Sequence, residues 1–399
     1  MIATHYIITL CSVFIVVGDA QMLKKEAYES VPQLITAAGY PVERHRAVTP
    51  DGYVLQLHRI PAGRRTARRT SAPKGKKAVL IMHGLLGSSG DFIIMGPERS
   101  LGFILADAGY DVWLGNLRGN QYTTHLNLTR SDPRFWEYSF HEHGKYDLPT
   151  QIDKVLNVTG LPRLLYIGYS MGTTSFFTMM SQRPEYNEKV LAFVALAPAV
   201  FMDNMKPLSE LMLKTWNVPQ TMRGQGMMSI YFRPELRELV VSSMCQARQP
   251  EEDVCMRLLY TLVGEDYNQN DWDMMGVIFA RFQPASWRQV EHFGKIALTG
   301  VFTSWEDGLW GAVKPYDLSK VRVPVTLLYG ENDQLTEKSQ IMRLAKELQS
   351  SGMLEEVRPG CQWPRFNHLD FVFAKDVGKL LNRPLVKHID KMFNKYGPQ

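Results

Sequence analysis

Cysteine is scarce in this chain, and past its first twenty residues no apolar run approaches the ~20 residues that span a bilayer. The second absence leaves no stable membrane insertion to expect from the body of the chain. Internal repeats and low-complexity tracts are absent too, which sets aside repeat arrays. Of the four cysteines, Cys11 lies in the first twenty residues, so Cys245, Cys255 and Cys361 remain for the body of the protein. An odd count predicts one bridge and one free thiol. Cys245 and Cys255 are near enough in sequence to close a small loop in an oxidising compartment, and Cys361 is expected to be a buried thiol. The net charge of +5 comes partly from Arg64, Arg65, Arg68, Arg69, Lys74, Lys76 and Lys77. With no aromatic residues interleaved, these read as one solvated loop and not as a nucleic-acid site.

The ends of the chain carry more information. Tyr6 to Val17 is an apolar core followed by Gly18-Asp19-Ala20, small residues at cleavage spacing, which predicts a signal peptide over residues 1–20. An uncleaved anchor is the alternative reading of that segment, although the run is short for a span. Entry into the secretory pathway makes Asn127-Leu128-Thr129 and Asn157-Val158-Thr159 candidate glycosylation sites. A chain of 399 residues fits one large domain with an inserted subdomain.

Strand-like and helix-like stretches alternate along most of that length. Thr49-Pro50-Asp51-Gly52 is a turn between two strand candidates within Val42–Pro61. Short, two-sided apolar runs follow at Val79–Met82, Asp111–Leu114, Leu164–Ile167, Val190–Ala195 and Val325–Tyr329. Helical stretches lie between them at Leu101–Ala108, Leu148–Val158 and Thr173–Arg183. This alternation predicts an α/β protein, a mostly parallel, doubly wound sheet. The stretch 201–313 breaks the pattern: it is helix-like and rich in methionine, and it reads as an inserted, mainly helical cap between core segments 21–200 and 314–399. Flexible thioethers suit a surface that accommodates varied apolar ligands, and ordinary core filling is the plainer use of each.

Gly168-Tyr169-Ser170-Met171-Gly172 follows one strand candidate and precedes a helix, the context of a nucleophile elbow. The glycines at 168 and 172 answer a tight, strained turn in which side chains would collide with backbone. Ser170 is a weak nucleophile alone and needs a base. The strand Val79–Met82 runs into His83-Gly84-Leu85-Leu86-Gly87, where this fold supplies one oxyanion N–H; Leu85 is that donor, and the Met171 N–H is the other. His83 ends the wrong strand for a base and reads as structural. Asp333 follows Val325–Tyr329 at a strand's C-terminal end, where catalytic groups collect. Glu331 and Asp370 compete for the role of acid, and Asp370 would reverse the order of serine, acid, histidine. His368, after the strand candidate Leu354–Val357, completes the series, whereas His388 falls on an amphipathic C-terminal helix and is expected at the surface.

These residues resemble the acid lipase family, which includes gastric and lysosomal acid lipases and many insect lipases. The resemblance covers nearly the whole chain after residue 20. It is carried by Gly39-Tyr40-Pro41 with Asp51-Gly52-Tyr53, His83-Gly84-Leu85-Leu86, Leu105 to Trp113, Lys145-Tyr146-Asp147-Leu148-Pro149 and Asn367-His368-Leu369-Asp370-Phe371. It implies an α/β-hydrolase fold, a Ser170, Asp333 and His368 triad, and cleavage of triacylglycerols and cholesteryl esters without a metal or other cofactor. The chain departs from the family at Tyr169, often histidine there, at Met171, usually glutamine, and in the cap at Pro284-Ala285-Ser286-Trp287. Those departures bear on substrate preference. The expected protein is therefore a serine ester hydrolase acting on lipid esters at a lipid–water interface, secreted or, alternatively, lysosomal. A catalytically silent lipid carrier on the same fold is the rival reading.

Overall fold

The structure, a computed structural model, describes residues 24–65, 76–203, 217–230, 254–306 and 308–397. The expected signal peptide, and Cys245 of the expected Cys245–Cys255 bridge, lie outside the described residues.

Helix α1 (Val31–Ala37) leads into β1 (Glu43–Val48) and β2 (Tyr53–Ile60), an antiparallel hairpin. Its turn is the one expected: Thr49 Oγ1 accepts from the Tyr53 N–H at 2.9 Å, and Gly52 takes φ +95°, open to glycine at little cost. Then come β3 (Ala78–Met82), α2 (Leu101–Asp107), β4 (Asp111–Leu114), β5 (Thr123–His125), α3 (Leu148–Thr159), β6 (Leu164–Tyr169), α4 (Met171–Gln182) and β7 (Val190–Leu196). The sheet closes with β10 (Val325–Tyr329), α9 (Lys338–Ser350), β11 (Leu354–Pro359) and α10 (Arg383–Tyr396). Strand order is β1-β2-β4-β3-β6-β7-β10-β11 with β5 against β2, and every pair from β4 to β11 is parallel.

Period-two alternation divides the strand side chains between two buried layers. Ala78, Leu80 and Met82 of β3 join Leu164 and Tyr166 of β6 on one face, packed under Phe176 and Phe177 of α4. Val79 and Ile81 join Leu165 and Ile167 on the other, under α2 and α10. Both faces are covered by helices, which is why these strands are apolar throughout. His388 departs from its expected surface position: it is half-buried, bonded to the Thr326 hydroxyl of β10 at 2.8 Å and 3.3 Å from Glu356. A hydroxyl on the covered face of a parallel strand needs a partner, and His388 supplies it.

Between β7 and β10 the chain leaves the sheet for α5 (Asn217–Gly224), β8 (Ser229–Ile230), α6 (Val254–Val263), α7 (Trp272–Ala280), β9 (Ala285–Ser286) and α8 (Trp287–Thr299). Met256, Met274 and Met275 are buried together with Met95, Tyr260 and Ile278, filling the space behind the helices. Met256, Met274 and Met275 thus pack inside this segment, Met227 is exposed, and the neighbouring cavity is walled by other residues.

Candidate active site

Ser170 sits between β6 and α4 with φ 51° and ψ −119°, a conformation few non-glycine residues adopt. The surroundings over-determine it. The Ser170 N–H donates to Leu196 O at 2.9 Å, and both the N–H and the hydroxyl of Thr173 donate to Ser170 O, at 2.8 and 2.6 Å. A Cβ at Gly168 would stand 2.9 Å from the backbone of Gly172 and Thr173, and one at Gly172 only 2.6 Å from Met82 O. The β6–α4 turn can therefore lie against β3 only with glycine at both positions. Gly84 is confined less severely, its Cβ falling 3.1 Å from the Ser170 Cβ.

His368 Nε2 is 2.9 Å from Ser170 Oγ, and His368 Nδ1 is 2.8 Å from Asp333 Oδ2. All three side chains are buried. Three further donors converge on Asp333: the N–H groups of Leu335 and Thr336 on Oδ1 at 2.9 and 2.8 Å, and the Thr336 hydroxyl on Oδ2 at 2.7 Å. The rivals are engaged elsewhere. Glu331 pairs with Lys338 at 3.1 Å, and Asp370 accepts from the Asn367 N–H at 2.7 Å. His83 is buried, with Nδ1 donating to Gly84 O at 2.8 Å and Nε2 accepting from the Leu117 N–H at 3.1 Å. Burial holds its imidazole neutral, with a pKa lowered to about 4. It thereby braces the loop that carries Leu85.

Ser170 and His368 open onto a cavity of about 340 Å³. Its wall is mainly aliphatic and aromatic, with Leu85, Leu259, Leu262, Ile278, Phe282 and Phe373 among the contributors. Asp91 is a polar exception, and burial raises its carboxyl to about 7. The volume lies toward the low end of the ~300–1,000 Å³ usual for small-molecule sites.

Comparison with known proteins gives the family and the fold. The α/β-hydrolase fold family matches residues 77–369, and a partial α/β-hydrolase lipase region matches residues 31–96. Lipase 1 of Drosophila melanogaster is 36% identical over 382 residues, covering 93% of this chain and 82% of the relative. The gastric triacylglycerol lipase of Bos taurus is 35% identical, covering 88% of each. The chain belongs to the acid lipase family. It is accordingly a carboxylic ester hydrolase, which sets aside the silent carrier. A crystallised candidate lipase from Sulfolobus solfataricus shares the fold at 15% identity, with a TM-score of 0.55 over 88% of this chain and 99% of that one.

Within the acid lipase framework, Tyr169 has a use that its sequence position does not disclose. Its hydroxyl donates to His368 O at 3.0 Å and its ring lies 5.3 Å from the imidazole, so the residue beside the serine also supports the histidine. A second unforeseen element is the segment Val263–Asp266 after α6. Val263 O accepts from the N–H groups of His368 and Gln334 at 3.3 and 3.4 Å. Gly264 O accepts from Asn367 Nδ2 and Glu265 O from Asn332 Nδ2, both at 2.8 Å. This segment outside the sheet thus binds both the loop of Asp333 and the loop of His368. Only Gly264 fits there: its φ is +94° and a Cβ would fall 1.9 Å from Asn332 O.

Among the other expected positions, Leu85 lies in the cavity wall, Met171 is buried at the start of α4, and Cys361 is a free, partly buried thiol raised to about 11 by desolvation. Asn127 and Asn157 are exposed. Among the described residues no helix is long and apolar enough to cross a membrane.

Proposed function

We propose that the chain hydrolyses lipid esters by acyl transfer through Ser170, His368 and Asp333. The observation that carries this reading is the continuous hydrogen-bonded path from Ser170 Oγ through His368 to Asp333 at the wall of an apolar cavity. His368 Nε2 takes the hydroxyl proton as Ser170 Oγ bonds to the ester carbonyl carbon. The N–H groups of Leu85 and Met171 receive the oxyanion. As the tetrahedral species collapses, its bond to the alkoxide oxygen breaks and His368 returns the proton to the departing alcohol. Water then repeats the sequence on the acyl-enzyme, releasing the acid and restoring the serine. Asp333 holds the imidazole in the required tautomer and offsets the charge it acquires.

Acylglycerols are the favoured substrates and sterol esters the second, met at a lipid–water interface, because the cavity wall is apolar and the relatives include a gastric triacylglycerol lipase. The segment 201–313 acts as a cap over the site, braced by a Cys245–Cys255 bridge. The protein is secreted, with the lysosome as the alternative destination, and carries glycans on Asn127 and Asn157, whose exposure favours modification. Hydrolysis rates across acyl lengths and head groups, with soluble and emulsified esters, test the substrate assignment. Emulsified long-chain acylglycerols should be turned over fastest, and a preference for short soluble esters would contradict it.

A further inference from the structure

Asp91 stands in the wall of the cavity that meets Ser170 and His368, in the 3₁₀ turn Ser89–Phe92 that follows the loop carrying Leu85. Its carboxyl is lodged against that loop: a Cβ on Gly87 would fall 2.2 Å from Asp91 Oδ2, so only glycine leaves the oxygen room. Oδ1 has a structural use, accepting from the Ser88 N–H at 3.3 Å. Among the described residues, no neighbour donates to Oδ2. The other polar side chains of the wall are committed. Ser170 and His368 belong to the triad, and the Tyr169 hydroxyl donates to His368 O at 3.0 Å. Arg281 Nη1 donates to Glu26 O and Glu29 O at 2.9 and 2.8 Å, and its Nη2 is shielded from solvent.

An open carboxyl oxygen in a mainly apolar wall is unfavourable unless a ligand pairs with it. Given the ester chemistry proposed above, the pairing group follows by elimination. The acyl chain of a lipid ester has no hydrogen-bonding group, and the scissile carbonyl goes to the N–H groups of Leu85 and Met171. The group therefore belongs to the alcohol. A triacylglycerol offers only further ester carbonyls there, and the alcohol of a cholesteryl ester only hydrocarbon, whereas partial glycerides carry free hydroxyls. Burial raises the Asp91 carboxyl to about 7, so both of its protonation states occur near neutrality. A hydroxyl donates to the carboxylate and accepts from the acid, while a carbonyl serves the acid alone. A cavity of about 340 Å³ also suits one acyl chain with a small polar head better than three chains.

We propose that Asp91 is a specificity-determining residue that binds a free hydroxyl of the leaving alcohol, and that partial glycerides, monoacylglycerols first, are the preferred acylglycerols of this site. The hydroxyl lies along Asp91 Oδ2, beside the loop that receives the oxyanion. The acyl chain then takes the aliphatic and aromatic part of the wall, formed by residues such as Leu259, Ile278 and Phe282. Recognition of a hydroxyl by a group that is otherwise left unpaired discriminates against an analogue that lacks it.

This inference rests on Ser170 being the nucleophile of an ester hydrolase, and its test keeps the two claims apart. The full chain is given the monoglyceryl ester and the propyl ester of one short acid, which differ only in two hydroxyls. The wild type should favour the glyceryl ester in kcat/KM by about tenfold or more, with the difference mainly in KM. In Asp91→Leu the glyceryl ester should lose about tenfold more than the propyl ester, so that the preference disappears. Asp91→Asn should keep it, because the amide both donates and accepts and its oxygen can still take the Ser88 N–H. If the leucine variant fails to fold, Asp91→Ser replaces it: the hydroxyl can still accept in the turn, and the second oxygen is gone. A wild type with no preference for the glyceryl ester, or a preference that survives in Asp91→Leu or Asp91→Ser, overturns the inference. So does a loss shared equally by both esters, since Asp91 would then only support the turn. Failure of the triad would appear separately, as hydrolysis of either ester surviving in Ser170→Ala.

Discussion

The backbone N–H of His368 donates to the carbonyl of Val263 across 3.3 Å, joining the histidine to the last residue of a helix that lies outside the sheet. The geometry of the triad therefore depends on that segment as well as on the strands beneath it. Asn367 reinforces the joint, giving its amide hydrogen to Gly264 O and accepting the N–H groups of Leu369 and Asp370 at 2.9 and 3.1 Å.

Asn367→Ala should accordingly damage both stability and turnover. It strands buried backbone groups that cost ~1–3 kcal/mol each when left unpaired. We expect a melting temperature lower by several degrees and a kcat reduced about tenfold or more, with KM for a short ester little changed. Calorimetry and steady-state kinetics on the same preparation decide it, and a variant with unchanged kcat would show the joint to be incidental.

Gly172→Ala should be far worse than its single methyl group suggests. The new carbon would lie 2.6 Å from Met82 O, a backbone atom in the middle of the sheet that cannot move alone. Overpacking of this kind costs ~1–3 kcal/mol or more and would shift the elbow away from Leu85. Urea unfolding should give a lower midpoint with the slope preserved, together with loss of esterase activity.

The Met171 prediction separates backbone from side chain. If the N–H is what receives the oxyanion, Met171→Gln should change kcat/KM less than about tenfold, whereas Met171→Pro removes the donor and should cost on the order of 10²–10³-fold. Proline is tolerated in the first turn of a helix, so the fold should persist. Stoichiometric phosphonate labelling of Ser170 in the proline variant would show that the nucleophile had not been displaced. Equal damage from both substitutions would assign the function to the thioether side chain.

His83 yields a pH prediction of definite sign. Its pKa is lowered to about 4 by burial, so the unfolded chain takes up its proton first as pH falls, and the stability contributed by the neutral ring is lost from about pH 6.5 downward. His83→Gln has no such proton to take up. The stability gap between wild type and variant should narrow by about 2–3 kcal/mol between about pH 6.5 and pH 4.5. Denaturant titrations at the two pH values measure it, and a constant gap would mean that His83 is not held neutral.

Legibility in the sequence follows the range of the interactions. The hairpin about Thr49–Gly52, the parallel strands and the elbow announce themselves within a few residues, because turn chemistry, period-two apolarity and glycine spacing are local. Asp333 and His368 can be selected over Glu331, Asp370 and His83 because strand ends and chain order restrict the choices. The support for His368 cannot be read in that way. Val263 is 105 positions from it and Tyr169 is 199, and neither residue type signals a carbonyl or a hydroxyl aimed at a histidine backbone. The place of His388 is hidden for a related reason: helical periodicity identifies a face, but not the Thr326 hydroxyl that awaits it. Composition suggests cavity lining for the methionines, whereas Met256, Met274 and Met275 fill the gaps behind the helices that carry them and Met227 is exposed.

The central claim, that Ser170 forms the acyl-enzyme, is tested most directly by mass-spectrometric peptide mapping of the full chain after reaction with a fluorophosphonate. The account predicts one adduct per chain, on Ser170, with hydrolysis lost in proportion to labelling, and a folded Ser170→Ala variant that shows neither adduct nor turnover. Labelling at another residue, or ester hydrolysis that survives in Ser170→Ala, would contradict it.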